Sequence, residues 1–195
     1  NNGNVQEPDD MCYKKNVLIF RGSFRPVTYV SVDMLKSSFA LFKKDEDYDK
    51  SNTLPLCEIT LRNHLQEGDF DERDFFDRVD LLNEMGQNVM VSNFMEFYRL
   101  VDYLSQFRII KMRIVIGIDT FIKVMHPKYY SNLRGGIIEA LGKLFPENAK
   151  MYIYPAAKTG SDELITVKDL VFSTATKHLL SHLIANRKIL DIATI

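Results

Sequence analysis

Gly22-Ser23-Phe24-Arg25-Pro26-Val27-Thr28 follows directly on the apolar run Val17-Leu18-Ile19-Phe20. A strand that ends in Gly-Ser-Phe and turns through Pro into a helix can aim consecutive backbone N–H groups at a phosphate. The positive end of the helix adds to the attraction. Nucleotide binding is the chemistry to expect at Gly22, Ser23 and Phe24. The competing explanation is an ordinary strand-to-helix turn, where Gly and Pro serve backbone geometry alone. Arg25 either contacts phosphate or is a solvated turn residue.

Other polar residues stand where chemistry is possible. Gly117-Ile118-Asp119 ends the β-branched run Met112 to Ile116. There Asp119 can accept a ribose hydroxyl or cap a helix over Thr120 to Met125. Ser173-Thr174 opens the last helical pattern and can be a plain N-cap. His178 and His182 are spaced i, i+4, which suits a metal pair. They have no Glu or Cys partner at ligand spacing, so a solvated or packed helix face is the expectation, with no metal site. His64 and His126 lie in no general-base motif. Asp69, Asp71, Glu72, Asp74 and Asp77 read as an acidic helix start that complements the helix dipole.

The elements that must position these groups alternate. Asn16 to Phe20 reads as a first strand. Val30 to Lys44 reads as a helix with Val32, Leu35, Phe39 and Phe42 on its apolar face. The charged run Lys44 to Lys50 is expected as a solvated loop and Leu54 to Leu61 as a second strand. Asp69 to Met85 carries Phe75, Val79 and Leu82 at helical spacing, with Gly86 as its stop. A strand over Asn88 to Val91, a helix from Phe94 to Phe107 and the Met112 to Ile116 strand follow. Next come a helix over Ile137 to Phe145, a strand over Lys150 to Tyr154 and a closing helix around His178 to Ala185. This alternation predicts an α/β fold, a Rossmann-like parallel sheet with helices on both faces. Ligands of such sheets bind beyond the carboxyl ends of the strands, which puts Gly22, Ser92, Gly117 and Pro155 along one edge.

The whole chain narrows the possibilities. Its 195 residues, 46% hydrophobic, suffice for one core. We expect a polar lead-in arm over 1–15 and a single domain over 16–195. A formal charge of −1 supplies no global field for nucleic acid or an anionic membrane, so phosphate binding must be local. Cys12 and Cys57 form no CxxC or Cys/His cluster, which argues for free thiols in a reducing compartment. No apolar run approaches the roughly 20 residues that span a bilayer, and no basic-then-apolar leader opens the chain. A soluble intracellular protein, cytoplasmic or organellar, is expected, with neither nucleic acid nor membrane as partner. The start at Asn1-Asn2-Gly3-Asn4 leads us to expect part of a longer chain, in a larger assembly or a homo-oligomer.

With these positions laid out, Gly22-Ser23-Phe24-Arg25-Pro26-Val27-Thr28-Tyr29-Val30-Ser31 resembles the first motif of the nicotinamide/nicotinate mononucleotide adenylyltransferases. Their eukaryotic-type motif reads Gly-Ser-Phe-Asn-Pro-Ile-Thr, then His three residues after the Thr. Six of the first seven positions are identical or conservative here, Arg25 replacing Asn. Gly117-Ile118-Asp119 is similar to the family's Gly-x-Asp, with Tyr129-Tyr130 near its following Trp. Phe94 stands roughly where an aromatic stacks on nicotinamide, and Ser173-Thr174-Ala175-Thr176-Lys177 resembles a late Ser-Thr-x-x-Arg. The resemblance runs from about Asn16 to Ile192 and implies the nucleotidyltransferase type of Rossmann-like fold. It implies ATP with Mg²⁺ carried on the triphosphate, and adenylyl transfer to a mononucleotide. It assigns Thr28 and Ser31 to the triphosphate, Lys177 and Lys158 to positive charge, Ser173 and Thr174 to a phosphate-facing helix start, Asp119 to the ribose and Phe94 to the base.

One departure bears on catalysis. The motif's last His, which stabilises charge on the ATP phosphates, is Ser31 in this chain. Losing one such donor is worth roughly 3–4 kcal/mol by analogy with oxyanion-hole deletions. The sequence is therefore compatible with impaired transfer, or with a catalytically silent nucleotide-sensing or scaffold domain.

Overall fold

The structure is a computed structural model that describes residues 4–46, 48–61, 71–161 and 163–193. The first helix, α1 (Pro8–Cys12), leads into β1 (Asn16–Arg21) and α2 (Tyr29–Phe42). β2 (Thr53–Thr60), α3 (Glu72–Glu84), β3 (Asn88–Ser92), α4 (Phe97–Ser105) and β4 (Lys111–Gly117) follow. The chain continues through α5 (Ile118–Val124), α6 (Gly136–Leu144) and β5 (Ala149–Tyr154). A hairpin of β6 (Ala156–Ala157) and β7 (Leu164–Ile165), then α7 (Thr174–Ala185) and β8 (Ile189–Asp191), complete it.

The main sheet has six strands in the order β3-β2-β1-β4-β5-β8, every pair parallel. From β1 the chain winds outward to β2 and β3. It then returns to β4 on the other side of β1 and winds outward to β5 and β8. The order thus reverses between β1 and β4, which is where a doubly wound sheet leaves a crevice at its carboxyl edge.

The strands read as continuous apolar runs because both faces are covered. Val17 and Ile19 of β1 enter one core with Leu104 of α4, Phe121 of α5, Leu144 of α6 and Leu183 of α7. Leu18 and Phe20 enter the opposite core with Phe42 of α2 and Leu82 of α3. This is the expected Rossmann-like α/β fold with helices on both faces. No described helix is long and apolar enough to cross a membrane. Cys12 and Cys57 are free and buried in opposite cores, and burial pushes their thiols up to about 11 and about 12.

Several elements differ from expectation. The lead-in arm is not structureless: Pro8 starts α1 with Asp9 and Asp10 in its first turn, and Cys12 is buried. On α2 the fully buried positions are Met34, Ser37, Ser38 and Phe42, while Leu35 and Phe39 are only partly buried. The small serines let the helix lie close to the sheet, which a stripe of large apolar residues does not predict. Asp45, expected on a solvated loop, accepts from Arg113 Nε at 2.8 Å and lies 2.6 Å from its Nη2. Arg113 is buried in β4, so it draws that loop onto the strand's start. α7 does not close the fold, because Ile189 adds β8 to the sheet edge.

α3 is capped by Asp71, whose carboxylate accepts from the Arg73 and Asp74 amides. It ends where Gly86, at φ +76°, lets its own N–H reach Asn83 O and that of Gln87 reach Leu82 O. The expected helix start at Asp69, the charged-loop residue Asp47 and His64 lie outside the described residues.

Candidate functional site

At the end of β1 the parallel ladder runs one residue past the strand. The Gly22 N–H donates to Glu58 O at 3.2 Å. That amide is committed to the sheet, so Gly22 does not offer its N–H to phosphate, contrary to expectation. The Ser23 and Phe24 amides have no acceptor among the described residues. Phe24 adopts φ +50°, which turns its ring back into the core, edge-on to Phe20 at 5.2 Å. The ring tip lies 3.1 Å from where a Cβ on Gly22 would sit. A side chain at position 22 would crowd the Phe24 ring, which would have to give by a few tenths of an ångström.

Arg78 supports the turn from α3. Its Nη1 donates to Ser23 O at 2.8 Å, its Nε to Asp74 O at 3.1 Å and its Nη2 to the Asp74 carboxylate at 2.7 Å. Arg25, 54% exposed, lies 3.6 Å from the same carboxylate. It is therefore neither aimed at the crevice nor merely solvated. At this distance the pair is loose, and exposed pairs are worth about 0–1 kcal/mol, so Arg25 can swing to a bound anion at little cost.

Thr28 and Ser31 form a reciprocal capping box at the start of α2. The Ser31 N–H donates to Thr28 Oγ1 at 3.2 Å and the Thr28 N–H to Ser31 Oγ at 3.4 Å. The two hydroxyls meet at 3.1 Å. Both side chains, expected to face a triphosphate, are engaged with each other at the helix start. The first amides of α2, those of Tyr29 and Val30, lack intrahelical acceptors as in any helix.

Across the crevice, the register that pairs Phe20 with Val115 brings Gly22 level with Gly117. Gly117 is the N-cap of α5 and makes no side-chain cap bond. Asp119 lies exposed in that helix's first turn, so the N-cap alternative for Asp119 does not hold. Sequence reasoning missed a second carboxylate: Asp33 of α2 accepts from the Tyr154 hydroxyl at the end of β5 and from Ser37 Oγ at 3.4 Å. Burial, and then the bond to Asp33, push the Tyr154 hydroxyl up to about 12. It remains a neutral donor at physiological pH.

A buried ionic cluster, also missed, joins the ends of β1, β2 and β3. Arg21 and Glu58 are register partners, with Arg21 Nε donating to Glu58 Oε2 at 2.5 Å and Nη2 to Oε1 at 3.1 Å. Arg21 also donates to Met95 O at 2.9 Å and its guanidinium sits 4.4 Å from the centre of the Phe97 ring. The Ser92 hydroxyl donates to Glu58 as well. The available signal is a lone charge in each of two strands, Arg21 closing β1 and Glu58 inside β2. Phe94, two strands away from β1, rests its ring on Tyr103 at 5.1 Å with a 37° tilt.

The remaining predicted phosphate-binding residues stand on elements that follow β5. Ser173 caps α7 through Thr176, and Thr174 and Lys177 are exposed in its first turn. That helix leads into β8, three strand spacings or about 14 Å from β1. Lys158, on the β6–β7 hairpin, pairs with Glu163 at 3.0 Å. His178 and His182 are exposed, and His126 caps a tight turn through Lys128. No group of residues with metal-ligand character gathers among the described residues. The site that emerges is the β1–β4 crevice, with Ser23, Phe24 and the start of α2 following β1 and Gly117 and Asp119 at the end of the neighbouring β4. Compared with known protein families, curated proteins and solved structures, the chain matches none of them.

Proposed function

We propose that the β1–β4 crevice binds a nucleotide through its phosphates and that the chain is an adenylyltransferase-type domain. The observation that carries this reading is the pair of unspent amides, Ser23 and Phe24, at the switch point of a doubly wound sheet, next to the start of α2. Backbone donors so placed favour an anion without any cationic side chain. In the reaction implied by the resemblance, a phosphate oxygen of nicotinamide or nicotinate mononucleotide attacks the α-phosphorus of ATP. The bond to the β-phosphate breaks, and pyrophosphate leaves with Mg²⁺. The work is positioning and electrostatics. Ser23 and Phe24 hold phosphate, Arg25 leaves Asp74 to join them, Asp119 accepts a ribose hydroxyl, and Lys177, Lys158, Ser173 and Thr174 serve the outer phosphates. Phe94 offers a base one ring face at most, the other being against Tyr103.

A second reading, a catalytically silent nucleotide-sensing or scaffold domain, is favoured by the capping box. Thr28 and Ser31 satisfy each other and bring no charge to the triphosphate. Calorimetric titration with Mg-ATP and then nicotinamide mononucleotide, followed by a pyrophosphate assay, separates the two. Binding with pyrophosphate release supports the transferase, binding without release supports the silent nucleotide-sensing domain, and absence of binding refutes nucleotide binding at the crevice and leaves a shared fold. In the second case Ser31→His is the further test, since a restored donor raises transfer if its loss is what limits the chemistry.

A further inference from the structure

The structure also has a cleft away from the β1–β4 crevice. It lies at the opposite edge of the sheet, along β3, with a volume of about 630 Å³. Among the described residues β3 pairs only with β2, and all five of its residues line the cleft. One wall comes from α1 and α4 through Met11, Cys12 and Tyr103, the other from α3 through Phe75, Phe76 and Val79. Phe94, two residues past the end of β3, also lines it.

The chemistry of this lining is specific. None of the described lining residues is Asp, Glu, Lys, Arg or His, in a chain that is 26% charged. Four aromatic rings, Phe75, Phe76, Phe94 and Tyr103, present flat apolar surface. Polar character comes from amides: Gln6, Asn83, Asn88 and Asn93 stand among them, beside the main chain of an edge strand. A volume of this size with apolar walls and a few hydrogen-bonding groups is what small-molecule sites show. A phosphate or carboxylate entering it would lose hydration and find no cation in return.

We infer that the β3-edge cleft is a second binding site, sharing only Phe94 with the residues assigned to the nucleotide, for an uncharged aromatic small molecule that carries an amide or similar neutral hydrogen-bonding group. Charge complementarity makes the class selective: the same ring skeleton with an anionic group is excluded. Phe94 is the one lining residue that the nucleotide reading also uses, for the base, and no residue assigned to the phosphates lines the cleft.

The test uses two fluorescent probes with one skeleton, N-phenylnaphthylamine, which is neutral, and anilinonaphthalene sulfonate, which is anionic. The neutral probe is expected to bind saturably with one site per chain, at least about tenfold more tightly than the sulfonate. Phe76→Glu and Val91→Glu place a carboxylate in the cleft from side chains that are 59% and 45% exposed, so both variants should fold. Each is expected to weaken the neutral probe about tenfold or more. Ile138→Glu puts the same charge into the apolar groove between α6 and α7 and leaves binding unchanged. Equal affinity for the two probes, wild-type affinity in both lining variants, or loss of binding in Ile138→Glu would each overturn the inference.

Discussion

Arg78 reaches from the middle of α3 to donate to the carbonyl of Ser23 at 2.8 Å, tying a helix to a turn 55 residues earlier in the chain. The guanidinium is 7% exposed, and its Asp74 partner also attracts Arg25. The conformation that leaves the Ser23 and Phe24 amides free is therefore held from outside the motif. Arg78→Met keeps most of the buried volume and deletes the donors. A stability loss of about 2–3 kcal/mol is expected, as for hydrogen bonds to a charged group, together with weakened Mg-ATP binding. Denaturant midpoints and calorimetry check both, and a variant as stable as wild type would show that the turn stands without Arg78.

Glu58→Gln tests the ionic cluster under the strand ends. Glu58 is fully buried, and neutralising it leaves the Arg21 charge, 9% exposed, without its anion. Removing one partner of a buried pair costs about 3–5 kcal/mol. Urea titration of the purified protein should show a loss of that size. Ser92→Ala, which removes one neutral donor to the same carboxylate, should cost less.

Gly22→Val is expected to do more than block phosphate. The new Cβ would meet the Phe24 ring at 3.1 Å, so the ring must shift within its site against Phe20. Overpacking of this kind costs about 1–3 kcal/mol. If the clash is the cause, Gly22→Val combined with Phe24→Ala is less destabilised than the sum of the two single changes. Strict additivity in that double-mutant cycle would place the effect elsewhere.

The buried hydroxyl and thiols make stability fall at alkaline pH. Burial raises Cys12 to about 11 and Cys57 to about 12 from an ordinary 9.0, and burial with the Asp33 bond raises Tyr154 to about 12 from 10.0. A folded-state value above the unfolded one favours the neutral form in the native protein. The stabilisation is therefore fully present below pH 9 and is lost as pH rises toward 12. Chemical-denaturation midpoints should be level from neutral pH to 9 and then decline, and Cys57→Ala should shrink the decline. Midpoints that hold steady to pH 11 would contradict this account.

What the sequence revealed follows the range of the interactions. β1, its Gly-Ser-Phe turn and the stop at Gly86 were legible because hydrophobic runs and glycine backbone geometry are local signals. The Arg21–Glu58 pair spans 37 residues and the Arg78 contact 55, so each exists only once the strands and α3 are assembled. The spacing of Thr28 and Ser31 matches a phosphate-facing motif. The same three-residue spacing is that of a capping box, and hydrogen bonding in the fold selects it. α1 escaped notice because five residues are too few to show a helical period. β8 escaped because its three residues follow the helix that seemed to finish the chain.

The most direct test of the central claim is an amide-resolved NMR titration of the wild-type protein with Mg-ATP. If the crevice holds phosphate on backbone donors, the Ser23 and Phe24 amide resonances shift saturably, with Tyr29 and Val30 following, while β3 residues stay in place. Ser23 and Phe24 resonances that remain unmoved through saturating nucleotide would contradict the assignment of the site.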